Sequence, residues 1–198
     1  MNIGLFGGTF SPPHNGHVFF AKLFMEKASL DKLYIMPAGV PPHKEPDPWG
    51  TAQARLEMAR LAFDSFAVVS DYEICEAGKS YTYKTLKHLR EIYPKDTLFL
   101  LVGEDMFLSF DTWKNPGVIF SMATVVCMNR GTASQEKLEA TGEVYKKRYG
   151  GEVMYLENAP LSVSSTQIRQ MCASGQDISR LVPPSVAAYI TENGLYKL

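Results

Sequence analysis

The sequence predicts an α/β fold: a doubly wound parallel sheet with helices on both faces and a helical C-terminal part over about residues 160–198. Three observations carry the prediction. Short apolar runs alternate with helix-like segments from the first residues onward. Two later runs, 98–102 and 124–128, are continuous and rich in branched residues, as in parallel strands covered on both faces. The first run empties into a glycine- and proline-rich turn that leads at once into a helical pattern.

In order, Ile3–Phe6 reads as the first strand and His17–Ala28 as the helix after the turn. Leu33–Met36 is a second strand, stopped by Pro37, and a proline-rich loop runs from Ala38 to Gly50. A helix is expected from Thr51 to about Phe63, with Leu56, Ala59 and Phe63 on one face. Phe66–Val69 reads as a third strand. Ser80 is placed to cap a helix reaching Tyr93, on which Leu86, Leu89 and Tyr93 share a face. The strands at 98–102 and 124–128 follow, then a polar, peripheral helix over Gln135–Tyr149 and a last short strand, Val153–Leu156. Helices at Ser164–Ala173 and Pro184–Glu192 finish the chain. No repeat, low-complexity stretch or linker interrupts the pattern, so one domain over 1–198 is expected.

The chain has 198 residues, 45% apolar and 21% charged, with a net charge of −1. That balance supports a packed core and offers no basic surplus for a nucleic-acid partner. Cys75, Cys127 and Cys172 are odd in number and widely spaced, which gives neither a disulfide framework nor a thiolate metal pair. No apolar run approaches the ~20 residues of a membrane span, and the N-terminus shows no basic leader. A cytoplasmic protein without membrane or nucleic-acid partners is expected; a homo-oligomer is left open.

The turn after the first strand, Gly7-Gly8-Thr9-Phe10-Ser11-Pro12-Pro13-His14-Asn15-Gly16-His17, is the most informative stretch. Gly7 and Gly8 permit positive φ and close approach of a ligand. Gly16 sits where the helix begins, and a helix start offers unpaired N–H groups and partial positive charge to an anion. The spacing fits neither G-x-G-x-x-G nor the P-loop. Instead, two imidazoles three residues apart, His14 and His17, are placed to donate to phosphate oxygens as charge builds on an attacked α-phosphorus.

His14-Asn15-Gly16-His17 matches the H-x-G-H signature of the nucleotidyltransferase superfamily. With Gly7-Gly8-Thr9-Phe10 and Pro12-Pro13, the stretch resembles the bacterial nicotinate-nucleotide adenylyltransferases. The resemblance implies a Rossmann-like sheet and adenylyl transfer from ATP to nicotinate mononucleotide, giving deamido-NAD and pyrophosphate, with Mg2+ travelling on ATP. It places Gly7, Gly8, Thr9, Phe10 and Gly16 at the ATP phosphates, with His17 and His14 as the catalytic pair. Val163-Ser164-Ser165-Thr166-Gln167-Ile168-Arg169 is similar to the family's I-S-S-T-x-I-R. On the residues alone, Ser164 and Gln167 form a capping box, and Ser165, Thr166 and Arg169 suit the outer phosphates. Pro41-Pro42-His43-Lys44 resembles the family's P-P-H-K, with Lys44 at the triphosphate.

For the mononucleotide, the resemblance implies Thr82, in Ser80-Tyr81-Thr82, Asp105 after Gly103, and Trp113 stacked on the pyridine ring. A helix cap at Ser80, a capping role for Asp105 and a core role for Trp113 compete with these. Leu181-Val182-Pro183 and Tyr189-Ile190 through Leu195-Tyr196 look like the family's C-terminal helix and read as packing. Ser11 departs from the family, in which Asp is frequent. Three other readings stay open: a related transferase acting on phosphopantetheine or a polar alcohol phosphate, a non-catalytic nucleotide-binding regulator, and a nicotinamide-dependent oxidoreductase, which the missing glycine fingerprint disfavours.

Overall fold

The computed structural model describes residues 1–40, 51–76, 78–157 and 163–197. In chain order its elements are β1 (Asn2–Gly8), α1 (Asn15–Lys27), β2 (Lys32–Pro37), α2 (Ala52–Phe63), β3 (Val68–Val69), α3 (Tyr72–Cys75), α4 (Thr82–Ile92), β4 (Thr97–Gly103), α5 (Glu104–Leu108), a 3-10 turn at Phe110–Thr112, α6 (Pro116–Met122), β5 (Ala123–Asn129), α7 (Gln135–Tyr149), β6 (Val153–Glu157), α8 (Ser165–Ala173) and α9 (Pro184–Glu192). The strands form one sheet in the order β3-β2-β1-β4-β5-β6. Strand order reverses at β1, and folds of this kind bind ligands beyond the carboxyl ends of the strands at such a reversal. The loop of interest leaves from that end of β1.

The chain divides into two compact units. The first comprises residues 1–7, 23–33 and 81–161. Here β1 pairs in parallel with β4 from Asn2 opposite Thr97 to Phe6 opposite Leu101. β4 pairs with β5, and β5 with β6, also in parallel. Ile3, Leu5, Leu98, Leu100, Val125 and Val126 are buried along these strands. Continuous burial on both faces is what the unbroken apolar runs predict. α4 contributes Leu86 and Leu89 to this core. α7 has the bounds expected from its sequence but is not wholly peripheral. Tyr145 is buried, and its hydroxyl donates to the Phe107 carbonyl at 2.9 Å.

The second unit comprises residues 8–22, 34–80 and 162–198. β2 and β3 pair in parallel through Tyr34–Val68 and Ile35–Val69. β3 is shorter than the predicted strand because the N–H groups of Phe66 and Ala67 bond back to the Phe63 carbonyl, closing α2. Thr51 caps α2, its hydroxyl accepting from the Ala54 N–H. The expectation that Ser80 caps α4 is corrected: it does not. α4 starts at Thr82 with Tyr81 as its cap residue, and the Ser80 hydroxyl instead accepts from the Gly39 N–H at 3.0 Å. α3 and α6, of four and seven residues, have no counterpart in the sequence reading, and α5, of five, has one only in the capping role weighed for Asp105. They are too short for apolar periodicity to register.

Candidate active site

The loop between β1 and α1 owes its shape to residues other than the expected glycines. Gly7 and Gly8 are the last residues of β1. The positive φ lies at Phe10 (50°), a left-handed conformation in which a bulky side chain is strained and which its surroundings must therefore hold. The Phe10 ring is buried and meets the edges of Phe63 at 5.6 Å and His17 at 5.2 Å. Gly8 is required by that ring. A Cβ on Gly8 would stand 2.9 Å from Phe10 Cζ. This corrects the expectation of a positive φ at Gly7 or Gly8: neither has one, and Gly8 instead supplies space.

His14 and His17 stack with centroids 3.6 Å apart and planes 23° from parallel. Each accepts from the other's backbone. The His14 N–H donates to His17 Nδ1 at 3.2 Å, and the His17 N–H donates to His14 Nδ1 at 3.3 Å. An imidazole nitrogen that accepts carries no proton, so each neutral ring carries its proton on Nε2. The pair thus carries its Nε2–H groups at the entry of α1, whose own N–H groups favour anions. Gly16 allows this packing. A Cβ there would lie 2.9 Å from Val163 Cγ1 and 3.0 Å from His14 Nδ1.

The C-terminal motif reaches the same loop. Ser164 caps α8 by accepting from the Gln167 N–H at 3.2 Å. The Ser165 hydroxyl donates to the Pro12 carbonyl at 2.9 Å, and Arg169 Nη1 donates to the Ser11 carbonyl at 2.7 Å. Arg169 Nη2 donates to the Thr166 hydroxyl at 3.3 Å. The side chains expected at the outer phosphates are thus brought to the histidine loop, with Ser165 and Arg169 directed at its backbone.

Sequence reasoning missed Arg55. Only 4% exposed, it donates from Nη1 to the Thr9 carbonyl at 2.9 Å and from Nη2 to the Gly39 carbonyl at 3.1 Å. One buried guanidinium therefore ties the loop after β1 to the segment after β2. The available signal was an arginine four and seven residues before Ala59 and Ala62 on a helix face that is otherwise apolar. Lys44 and His43 lie outside the described residues.

Thr82, Asp105 and Trp113 all fall in the first unit. Thr82 is the first residue of α4, where N–H groups lack partners within the helix. Asp105 is exposed in the first turn of α5 and is not its cap residue, which is Gly103. Trp113 is half-buried, with one face stacked on Phe110 at 4.6 Å. Beside Asp105 stands a second group that the sequence reading passed over. The Glu104 carboxylate, 1% exposed, accepts from the Thr132 hydroxyl at 2.5 Å and from the N–H groups of Arg130 at 3.2 Å and Ala133 at 3.3 Å. Burial opposes its ionisation, but the Thr132 hydroxyl and these N–H groups outweigh it and hold the carboxyl below its usual range.

A parallel α/β sheet and a stacked histidine pair at the entry of α1 suit the class of proteins that handle nucleotide phosphates. Residues 5–171 match the model of the cytidylyltransferase-like family. A protein of Clostridium tetani named probable nicotinate-nucleotide adenylyltransferase is 34% identical over 196 residues, covering 98% of each chain. One of Clostridium botulinum strain Eklund 17B with the same name is 36% identical over 196 residues, covering 98% of this chain and 97% of its own. The solved Plasmodium falciparum nicotinic acid mononucleotide adenylyltransferase complexed with NaAD superposes with a TM-score of 0.79 over 98% of this chain and 97% of that one. At 18% identity, that likeness supports the fold alone. The chain belongs to the cytidylyltransferase-like family and, within it, to the nicotinate-nucleotide adenylyltransferases.

Proposed function

We propose that this protein transfers the adenylyl group of ATP to nicotinate mononucleotide. The mononucleotide phosphate oxygen attacks the α-phosphorus in line, the bond from that phosphorus to the β-phosphate oxygen breaks, and pyrophosphate leaves with the electron pair. The product is deamido-NAD. The phosphate is already a nucleophile, so the protein supplies position and charge stabilisation and no base.

The observation that carries this reading is the reciprocal backbone bonding that fixes both imidazoles as Nε2–H donors at the α1 entry. His17 is assigned to the α-phosphate oxygens, where charge grows in the transition state. His14 orients His17 and gives the second donor. The N–H groups of Ser165 and Thr166, the first residues of α8, suit the departing pyrophosphate, with Arg169 and Lys44 as its cations. Gly7, Gly8, Thr9, Phe10 and Gly16 shape the backbone around the triphosphate, and Ser164 holds the α8 start.

The histidine pair offers N–H donors, which suit phosphate oxygens and not a divalent cation. Mg2+ therefore enters as part of MgATP, held by phosphate and water. The acceptor side rests on Thr82, Asp105 and Trp113. The N–H groups at the α4 start favour a ring carboxylate, and an indole face with Phe110 behind it suits a pyridine ring. Parallel assays of pyrophosphate release from MgATP with nicotinate mononucleotide, nicotinamide mononucleotide and phosphopantetheine test the reading. Turnover with nicotinate mononucleotide, and a product of the mass of deamido-NAD, are expected. Preference for either other acceptor would overturn it.

A further inference from the structure

The structure gives the penultimate turn of the chain a task beyond packing. Asn193 is the C-cap residue of α9, followed by Gly194 at φ 59°. The Gly194 N–H bonds the Thr191 carbonyl, and the Leu195 N–H bonds the Ile190 carbonyl. These two bonds, with a left-handed glycine just past the helix, make a Schellman motif, which turns the chain back across the helix end. Tyr196 follows. Only 3% of it is exposed, and its hydroxyl lies 3.1 Å from the Ser11 hydroxyl, which is also 3% exposed.

Tyr196 thus holds the side chain of Ser11 and Arg169 its carbonyl. Between Ser11 and His14 stand only Pro12 and Pro13, both buried, and the Pro12 carbonyl is held by Ser165. Proline fixes φ, so this spacer is stiff and a displacement at Ser11 is carried to His14 rather than absorbed. His14 in turn sets His17 through their stacked rings and reciprocal bonds. On the far side of His14, the Asn15 N–H bonds the Leu181 carbonyl, and its side-chain amide donates to the Arg180 carbonyl.

We infer that Tyr196 is a positioning residue for the catalytic histidine pair, acting through Ser11. The inference rests on the assignment of His17 to phosphate. The contact is a neutral hydroxyl pair, which sets the loop without adding negative charge beside the nucleotide's phosphates.

The test compares Tyr196→Phe, Ser11→Ala, the double variant and His17→Ala, each assayed for kcat, for KM toward ATP and for thermal midpoint. Tyr196→Phe keeps the ring and deletes one buried hydroxyl. It is expected to lower kcat about three- to tenfold, the value of one hydrogen bond expressed in the transition state, with KM for ATP within about twofold. Ser11→Ala should do the same, and the double variant should be no slower than the worse single variant. A kcat within twofold of wild type for Tyr196→Phe, beside a crippled His17→Ala, overturns this inference alone. Single-variant losses that multiply in the double variant, or a fallen midpoint with kcat intact, overturn it as well. A silent His17→Ala overturns the phosphate assignment and the inference together.

Discussion

Replacing Arg55 by methionine removes a buried charge that holds two loop carbonyls, and its cost can be worked from the structure. Methionine keeps most of the side-chain volume, so the loss is electrostatic and not steric. The Thr9 and Gly39 carbonyls each lose a donor at 2.9 and 3.1 Å. A hydrogen bond from a charged group contributes about 1.5–3 kcal/mol, so two give about 3–6 kcal/mol. Against this, methionine avoids the desolvation of a guanidinium that is 4% exposed, which offsets part of the loss. A net destabilisation of about 2–4 kcal/mol follows, or a midpoint lowered by roughly 10 °C in a chain of this size. The two segments released lead directly into the histidine loop and into the stretch carrying Lys44, so turnover should fall with stability. Arg55→Lys keeps the charge but cannot fork to two carbonyls, and it should recover less than half of the lost stability. Thermal unfolding followed by circular dichroism gives the midpoint. An Arg55→Met midpoint within 2 °C of wild type would refute the reasoning that this buried cation braces both loops.

Four further outcomes follow from the geometry. Gly8→Ala drives a Cβ to 2.9 Å from the wedged Phe10 ring and should cost about 1–3 kcal/mol, read in urea unfolding. Glu104→Gln should cost about 1–3 kcal/mol at pH 7. Because the native carboxyl titrates below its unfolded range, that contribution is present above about pH 4.5 and is lost as pH falls through the native value. The variant and wild-type midpoints should therefore converge in acid; a constant gap would contradict the assignment. Burial pushes the Cys127 thiol up to about 12, so at pH 8 a thiol reagent should label exposed Cys75 in the folded protein and reach Cys127 only after denaturation. Trp113→Ala should raise KM for the mononucleotide several-fold more than KM for ATP; equal changes would make Trp113 a core residue only.

Several elements were legible because their signals are local. The helices at 135–149 and 184–192 have the bounds that polarity and proline placement predict, and Ser164 caps the helix it precedes. The parallel strands were legible as unbroken apolar runs. What escaped depends on contacts distant in sequence. No propensity places a phenylalanine at positive φ; Phe10 adopts it because Phe63, His17 and a bare Gly8 surround its ring. Ser80 has the chemistry of a cap, and Gly39 competes successfully for its hydroxyl. Glu104 carries no local signal in the sequence, because its donors come from the loop at 130–133. Tyr196 read as packing, since a buried tyrosine looks the same in sequence whether or not its hydroxyl has a task. The candidate site followed the same division: His14, His17 and the α8 motif carry their spacing in the sequence, whereas Arg55 is visible only once both loops are in place.

The central claim, that the stacked histidines stabilise charge on the α-phosphate during adenylyl transfer, is tested most directly by single-turnover kinetics of His17→Ala with MgATP and nicotinate mononucleotide. Excess enzyme, followed by quantifying deamido-NAD, isolates the chemical step. Loss of one such donor is expected to slow that step about 10²- to 10³-fold, with ATP affinity nearly unchanged. A single-turnover rate within threefold of wild type, or an equal loss carried wholly by weaker ATP binding, would contradict the account.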